Sequence, residues 1–120
     1  MRGASAIQSV LEQHASAPLS VFVVWEPVLP TDWITPTSGV LARIRDPRAV
    51  QFWDPDRRLS AKIIETRADP PPGGVVWDVV AVFPKGTRWE NAFPSPVFQG
   101  YPVINAAEDL RKSLPAVLAP

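Results

Sequence analysis

The stretch LSVFVVW, residues 19–25, decides the fold because it predicts a buried β-strand. Its β-branched and aromatic side chains favour an extended chain, and the near-absence of alternating polar residues is typical of a strand covered on both faces. A second, short strand is predicted at AVQFW, residues 49–53. Because a helix is predicted between them, the two strands are expected to run parallel in the middle of an α/β sheet.

Two helices are predicted on either side of the first strand. Residues 5–14 carry apolar side chains at helical spacing, and Ser5 with Gln8 forms a capping-box pattern. A shorter helix is expected to begin with Thr35 as its cap and Pro36 as its first residue, and to end before the Asp-Pro pair that follows it.

Two further helices are predicted after the second strand. Asp54 and Pro55 form a cap-and-proline signal for a helix with an inward apolar stripe. The last helix is expected to begin at Asn105, with Glu108 three residues later. Pro115 lies within its apolar pattern and is expected to kink the helix or end it early, because proline lacks a backbone N–H.

The longest strand is predicted at VVWDVVAVF, residues 75–83, after the chain breaker ADPPPGG. A turn at residues 84–86 is expected to lead into residues 87–89 as the second strand of an antiparallel hairpin. Trp77 is therefore predicted to lie in the core, as are Trp25 and Trp53 in the two parallel strands.

Length and charge indicate a single soluble domain over residues 1–120. The 12 basic and 12 acidic residues give a formal net charge of zero and are scattered, so neither nucleic acid nor an anionic membrane is an expected partner. No apolar run approaches the roughly 20 residues that span a bilayer. The first 15 residues do not resemble a signal peptide, so a cytoplasmic location is expected; an exported chain without its leader would have the same composition.

The chain contains no cysteine, which excludes disulfides, thiolate metal sites, cysteine nucleophiles and dithiol redox exchange. His14, the single histidine, lies at the end of a predicted helix, where a packing role is expected more than catalysis. The glycines lack phosphate-loop spacing. No catalytic residue, metal or cofactor is therefore assigned from the sequence.

Taken together, the order of elements resembles the thioredoxin-like fold. The resemblance rests on VFVVW at residues 21–25, VVAVFPKG at residues 79–86 and the amphipathic last helix. It implies an α/β three-layer sandwich with a mixed central sheet of about four strands, two parallel and then an antiparallel hairpin, flanked by helices.

The chain departs from that family at its catalytic motif. The segment corresponding to the cysteine-x-x-cysteine motif is approximately Leu29 to Asp32, which has no sulfur, and Val23 replaces the family's buried acidic residue. Pro70, Pro71 and Pro72 are the candidates for the family's cis-proline. The resemblance thus implies a member without thiol-disulfide activity.

Each parallel strand ends in tryptophan, an acidic residue and proline, which predicts a candidate ligand cleft. Glu26 and Asp54 are expected at neighbouring strand ends, with Asp32 and Trp33 in the loop between. Such carboxylates beside indole rings suit a cation, an amine or acid–base chemistry. The structural alternative, which we favour, makes Asp54 a helix cap and Glu26 a solvated strand end.

Aromatic residues in the proline-rich loops form a candidate interface: Trp33, Trp89, Phe98 and Tyr101. The first functional hypothesis is a non-catalytic module that binds an unknown protein partner, or itself as a homodimer, through these loops. The alternative is a small-ligand binder or acid–base enzyme that uses Glu26, Asp32 and Asp54.

Overall fold

The computed structural model describes residues 2–28, 35–69 and 71–119. Within these residues the chain forms four α-helices, four strands and one 3-10 turn in mixed order, which confirms an α/β protein. In chain order the elements are α1 (Arg2–Gln13), β1 (Val21–Trp25), α2 (Ser38–Leu41), β2 (Ala49–Trp53), α3 (Arg58–Ile64), the 3-10 turn (Pro72–Gly74), β3 (Val80–Val82), β4 (Phe98–Gly100) and α4 (Val103–Leu118).

The first two strands form the expected parallel pair. Their register joins Val21 to Ala49 at one end and Trp25 to Trp53 at the other. The expectation that β1 is covered on both faces is wrong. Phe22, on one face of the pair, is 68% exposed.

The second pair of strands differs from the predicted hairpin. β3 has three residues and does not extend over residues 75–83, because Asp78 adopts a left-handed conformation (φ 55°) that interrupts an extended chain. Its antiparallel partner is β4, not residues 87–89. The predicted turn does form, since the Thr87 N–H donates to the Pro84 carbonyl at 3.2 Å. The strand that pairs with β3 begins only at Phe98, well after this turn.

The strands make two separate sheets, β1–β2 and β3–β4, over the described part of the chain. The single four-stranded sheet that the resemblance implies is therefore not formed by these strands. Among the described residues a cis peptide bond joins Tyr101 to Pro102, just after β4, and the bond before Pro72 is not cis; the candidate Pro70 lies outside the described residues.

The hydrophobic core lies between the two long helices and the antiparallel pair. Val10 of α1 and Leu110 and Leu114 of α4 are each at most 5% exposed and contact one another. β4 approaches α4 so closely that a Cβ added at Gly100 would overlap the Ala106 methyl group. The apolar residues packed against this cluster are Ile7, Val80, Val82, Phe98, Ala107 and Leu118.

Two predicted helix starts are wrong by several residues. α1 already includes Arg2, so Ser5 lies inside the helix and the predicted capping box is not its start. Gln8 uses its amide differently, accepting from the Arg45 N–H at 2.9 Å. At α2 the cap is Thr37, whose hydroxyl accepts from the Val40 N–H, and not Thr35.

The last helix also begins earlier than predicted. α4 starts at Val103 after Pro102, which places Asn105 within the helix and not at its cap. The cap comes from a distant residue, since the Val103 N–H donates to Asp78 Oδ1 at 3.3 Å. Pro115 lies within the helix and does not end it, because the helical turns continue to Leu118.

Arg48 joins the start of β2 to the end of α1. Its guanidinium donates to both carboxylate oxygens of Asp46, at 2.8 and 2.7 Å. It also donates to the carbonyls of Leu11, His14 and Ala17 at 2.8 to 3.0 Å, so all five of its N–H groups have a partner. The sequence analysis did not identify this residue.

The strand tryptophans differ from the predicted core positions. Trp25 is half-buried and its indole N–H donates to Gln51 Oε1 at 2.9 Å. Gln51 in turn donates to the Leu41 and Ile44 carbonyls, which ties α2 to β2. Trp77 is 50% exposed, so its assignment to the core is wrong. No helix among the described residues is long and apolar enough to cross a membrane.

Candidate functional site

The candidate cleft is only partly described. Asp32 and Trp33 lie outside the described residues. The structure does bring Glu26 and Asp54 together, as the parallel pairing of β1 and β2 predicts, and the Asp54 N–H donates to the Trp25 carbonyl at 2.8 Å. The two carboxyl groups lie close enough that each shifts the pKa of the other.

Asp54 caps α3, as the structural alternative predicted. Its two carboxylate oxygens accept from the backbone N–H groups of Arg58 and Leu59, at 3.1 and 2.8 Å. The helix itself begins at Arg58 and not at Pro55. Asp54 therefore occupies a structural position that leaves little of its carboxylate unused.

Glu26 is not a solvated strand end, because its carboxyl group contacts Ser60 of α3. Ser60 donates to Glu26 twice: its hydroxyl reaches Oε1 at 2.5 Å and its backbone N–H reaches Oε2 at 3.2 Å. Ser60 is completely buried and also accepts from the Val76 N–H at 2.8 Å. The three residues connect β1, α3 and the segment before β3.

The two carboxyls have pKa values shifted in opposite directions. Burial raises the pKa of Glu26 from 4.5 to about 7, the hydrogen bond to Asp54 adds to this, and the bonds from Ser60 partly oppose it. Burial also acts to raise the pKa of Asp54, but hydrogen bonds from Glu26 and from the Leu59 and Arg58 N–H groups outweigh it and lower that pKa. The raised pKa of Glu26 therefore favours one proton on the pair just below neutral pH.

Two cavities among the described residues, of about 440 and 270 Å³, are lined by residues other than this pair. Pro27, which follows Glu26, is buried, and its carbonyl accepts from Arg57 Nε at 2.8 Å. Among the described residues no group of three His, Asp or Glu side chains could hold a metal ion.

The candidate interface residues fall into different environments. Trp89 is 45% exposed and contacts Phe93 edge-on, with ring centroids 5.4 Å apart. Tyr101 is 61% exposed and makes a similar contact with Trp77 at 6.0 Å. Phe98 packs against the core and is not an exposed anchor.

One face of the parallel pair is an exposed apolar surface that the sequence did not predict. We call Phe22, Val24, Val50 and Phe52 the sheet face, since the pairing places Phe22 beside Val50 and Val24 beside Phe52. Phe22, Val50 and Phe52 are 68%, 50% and 48% exposed. The two phenylalanine rings lie 6.4 Å apart. The sequence gives no signal for this face, because the polar residue of AVQFW, Gln51, lies on the opposite face of the pair.

A comparison of the chain with models of protein families, with curated proteins and with solved structures finds no match.

Proposed function

We propose that this protein is a non-catalytic binding module that self-associates through the sheet face. The observation that carries the proposal is the exposure of Phe22, Val50 and Phe52 side by side on one sheet. Parallel strands are found almost only in sheets that are covered on both faces, because their side chains are apolar on both. An open apolar face of this kind indicates a contact surface.

A second copy of the chain is the occupant that fits this face. Its four residues are all valine or phenylalanine. Two copies related by a two-fold axis would therefore each present the same apolar face to the other. Two such sheets would pack at roughly 10 Å, the usual separation of stacked sheets, and would bury the exposed rings. The zero net charge leaves no long-range repulsion between copies.

The exposed aromatic residues of the loops support a binding role in a lesser way. Trp77 and Tyr101 form one exposed pair, and Trp89 forms another contact with Phe93. Aromatic side chains of this type contribute strongly at interfaces. They are not part of the β1–β2 pair, so the Trp77–Tyr101 pair serves as a control below.

We also propose that the chain is a cysteine-free relative of thioredoxin-like proteins. The order of elements supports this: a helix, a parallel strand pair, an antiparallel strand pair and a closing helix. The absence of cysteine is consistent with a binding role in place of thiol chemistry.

Acid–base catalysis or small-ligand binding at Glu26 and Asp54 is the second candidate function. One observation favours it, namely that Glu26 has a pKa of about 7, in the range that general acids and bases use. Its carboxyl group, however, already accepts two hydrogen bonds from Ser60 and lies beside Asp54. Self-association is therefore the better supported proposal.

Sedimentation of the wild type and a double variant tests the proposal. The wild type is expected to sediment as a dimer at micromolar concentration, and Phe22→Ser with Phe52→Ser is expected to sediment as a monomer. Because both rings are largely exposed, the thermal midpoint of the variant monomer should change little. The matched control, Trp77→Ser with Tyr101→Ser, changes an equally exposed aromatic pair and should remain dimeric.

A wild type that stays monomeric at high concentration would reject self-association. A control variant that dissociates as fully as the sheet-face variant would place the contact in the loops instead.

A further inference from the structure

We propose that Glu26, Asp54 and the first turn of α3 form a pH-sensitive clasp, which is closed when the two carboxyls share a proton and loosened when both are charged. The clasp belongs to one chain, so it does not depend on self-association. It connects the carboxyl ends of β1 and β2 to the buried Ser60.

The geometry of the clasp lies in how α3 begins. The first three backbone N–H groups of this helix all donate to the two carboxyls: Arg58 and Leu59 to Asp54, and Ser60 to Glu26. Arg57, at the cap position, makes no side-chain capping bond of its own. α3 has seven residues, too few to be stable without such tertiary support.

Charged and titratable groups near Glu26 come from each element around it. The end of β2 contributes Asp54, and α3 contributes Arg58, whose charge stabilises the Asp54 carboxylate. Arg57 contacts the Pro27 carbonyl and, at 3.4 Å, the Gly73 carbonyl. The segment before β3 contributes the backbone of Val76, bonded to Ser60. Among these groups only Glu26 and Asp54 are carboxyls, and each shifts the pKa of the other.

Loss of that proton converts an attraction into a repulsion. Both carboxyls then carry a negative charge, and because they accept from the consecutive N–H groups of Arg58, Leu59 and Ser60, the two charges remain close together in a partly buried place. Both carboxylates remain attractive to the helix N–H groups, so the expected response is a local separation of Glu26 from Asp54 and fraying at the start of α3. The rest of the fold does not need to unfold.

Nuclear magnetic resonance tests the clasp directly. In wild-type protein the side-chain carboxyl carbon of Glu26 is expected to titrate near pH 7, and the backbone amides of Arg58, Leu59 and Ser60 should shift with the same midpoint. Hydrogen-exchange protection of these amides should fall several-fold across the transition. Glu26→Gln keeps the hydrogen-bonding shape without the charge and should abolish the transition. His14→Gln removes the single histidine and should leave it unchanged.

Three results would overturn the clasp. They are a Glu26 carboxyl that titrates near its ordinary 4.5, helix amides that do not respond, and a response that disappears in His14→Gln. If Glu26→Gln does not fold, the wild-type carboxyl titration and the His14→Gln spectrum still decide between these outcomes.

Discussion

Leu110→Ala is expected to lower the free energy of unfolding by about 2 to 5 kcal/mol, the range for large-to-small changes in a packed core. Leu110 is 4% exposed and packs between α1 and α4 against Val10 and Leu114. Truncation removes apolar contacts on both sides and leaves a cavity that the two helices cannot close easily. Urea unfolding followed by circular dichroism would measure the loss.

Trp77→Ala is the matched control for the core prediction. Although Trp77 is a larger side chain, it is 50% exposed and its ring contacts the exposed Tyr101. Its replacement should therefore cost less than about 1 kcal/mol, as surface changes usually do. A loss at Trp77 equal to that at Leu110 would contradict the placement of the core.

Arg48→Ala is expected to lower the free energy of unfolding by about 1.5 to 3 kcal/mol, because hydrogen bonds to a charged group are worth more than neutral ones. The change removes the guanidinium from Asp46 and from the Leu11, His14 and Ala17 carbonyls, each of which keeps one backbone N–H donor. Denaturant unfolding at pH 7 would measure it. Arg58→Ala is the control: its ion pair with Asp56 is exposed, so about 1 kcal/mol or less should be lost.

The fall in the free energy of unfolding at low pH gives a second test of the Arg48–Asp46 interaction. Hydrogen bonds from the Arg48 side chain and N–H lower the pKa of Asp46 from 3.8 to about 2. A lowered folded-state pKa stabilises the fold above the unfolded value, and this contribution is lost as the pH falls from about 3.8 to about 2. Arg48→Ala should lose that part of the acid dependence. If the free energy of unfolding of Arg48→Ala and of the wild type fell equally between these pH values, the ion pair would be contradicted.

The sequence predicted the parallel pair well because its signal is local. The boundaries of β2 match residues 49–53, and the capping role of Asp54 follows from its position before Pro55. The partnership of Glu26 with Asp54 followed from the same pairing, since parallel strands end at one edge. What the sequence could not supply was Ser60, which lies 34 positions from Glu26 and carries no motif.

The errors share a physical cause, which is that long-range contacts override local preference. Residues 75–83 have strong strand propensity, but Asp78 leaves the extended region and caps α4 from a distance. Residues 98–100 lie in a proline-rich stretch that predicts a loop, yet they pair with β3 because Gly100 permits a close approach to α4. The contact of Asp78 with α4 depends on residues far away in the chain, and so does the pairing of β4 with β3. Local sequence patterns therefore could not predict either one.

Self-association through the sheet face is the central claim, and intermolecular distances test it most directly. In a mixture of isotope-labelled and unlabelled chains at high micromolar concentration, filtered nuclear Overhauser spectra should show contacts between the Phe22 and Phe52 rings of one chain and the Val24 and Val50 methyl groups of the other. No intermolecular contacts at any concentration, or contacts at Trp77 and Tyr101 in their place, would contradict the claim.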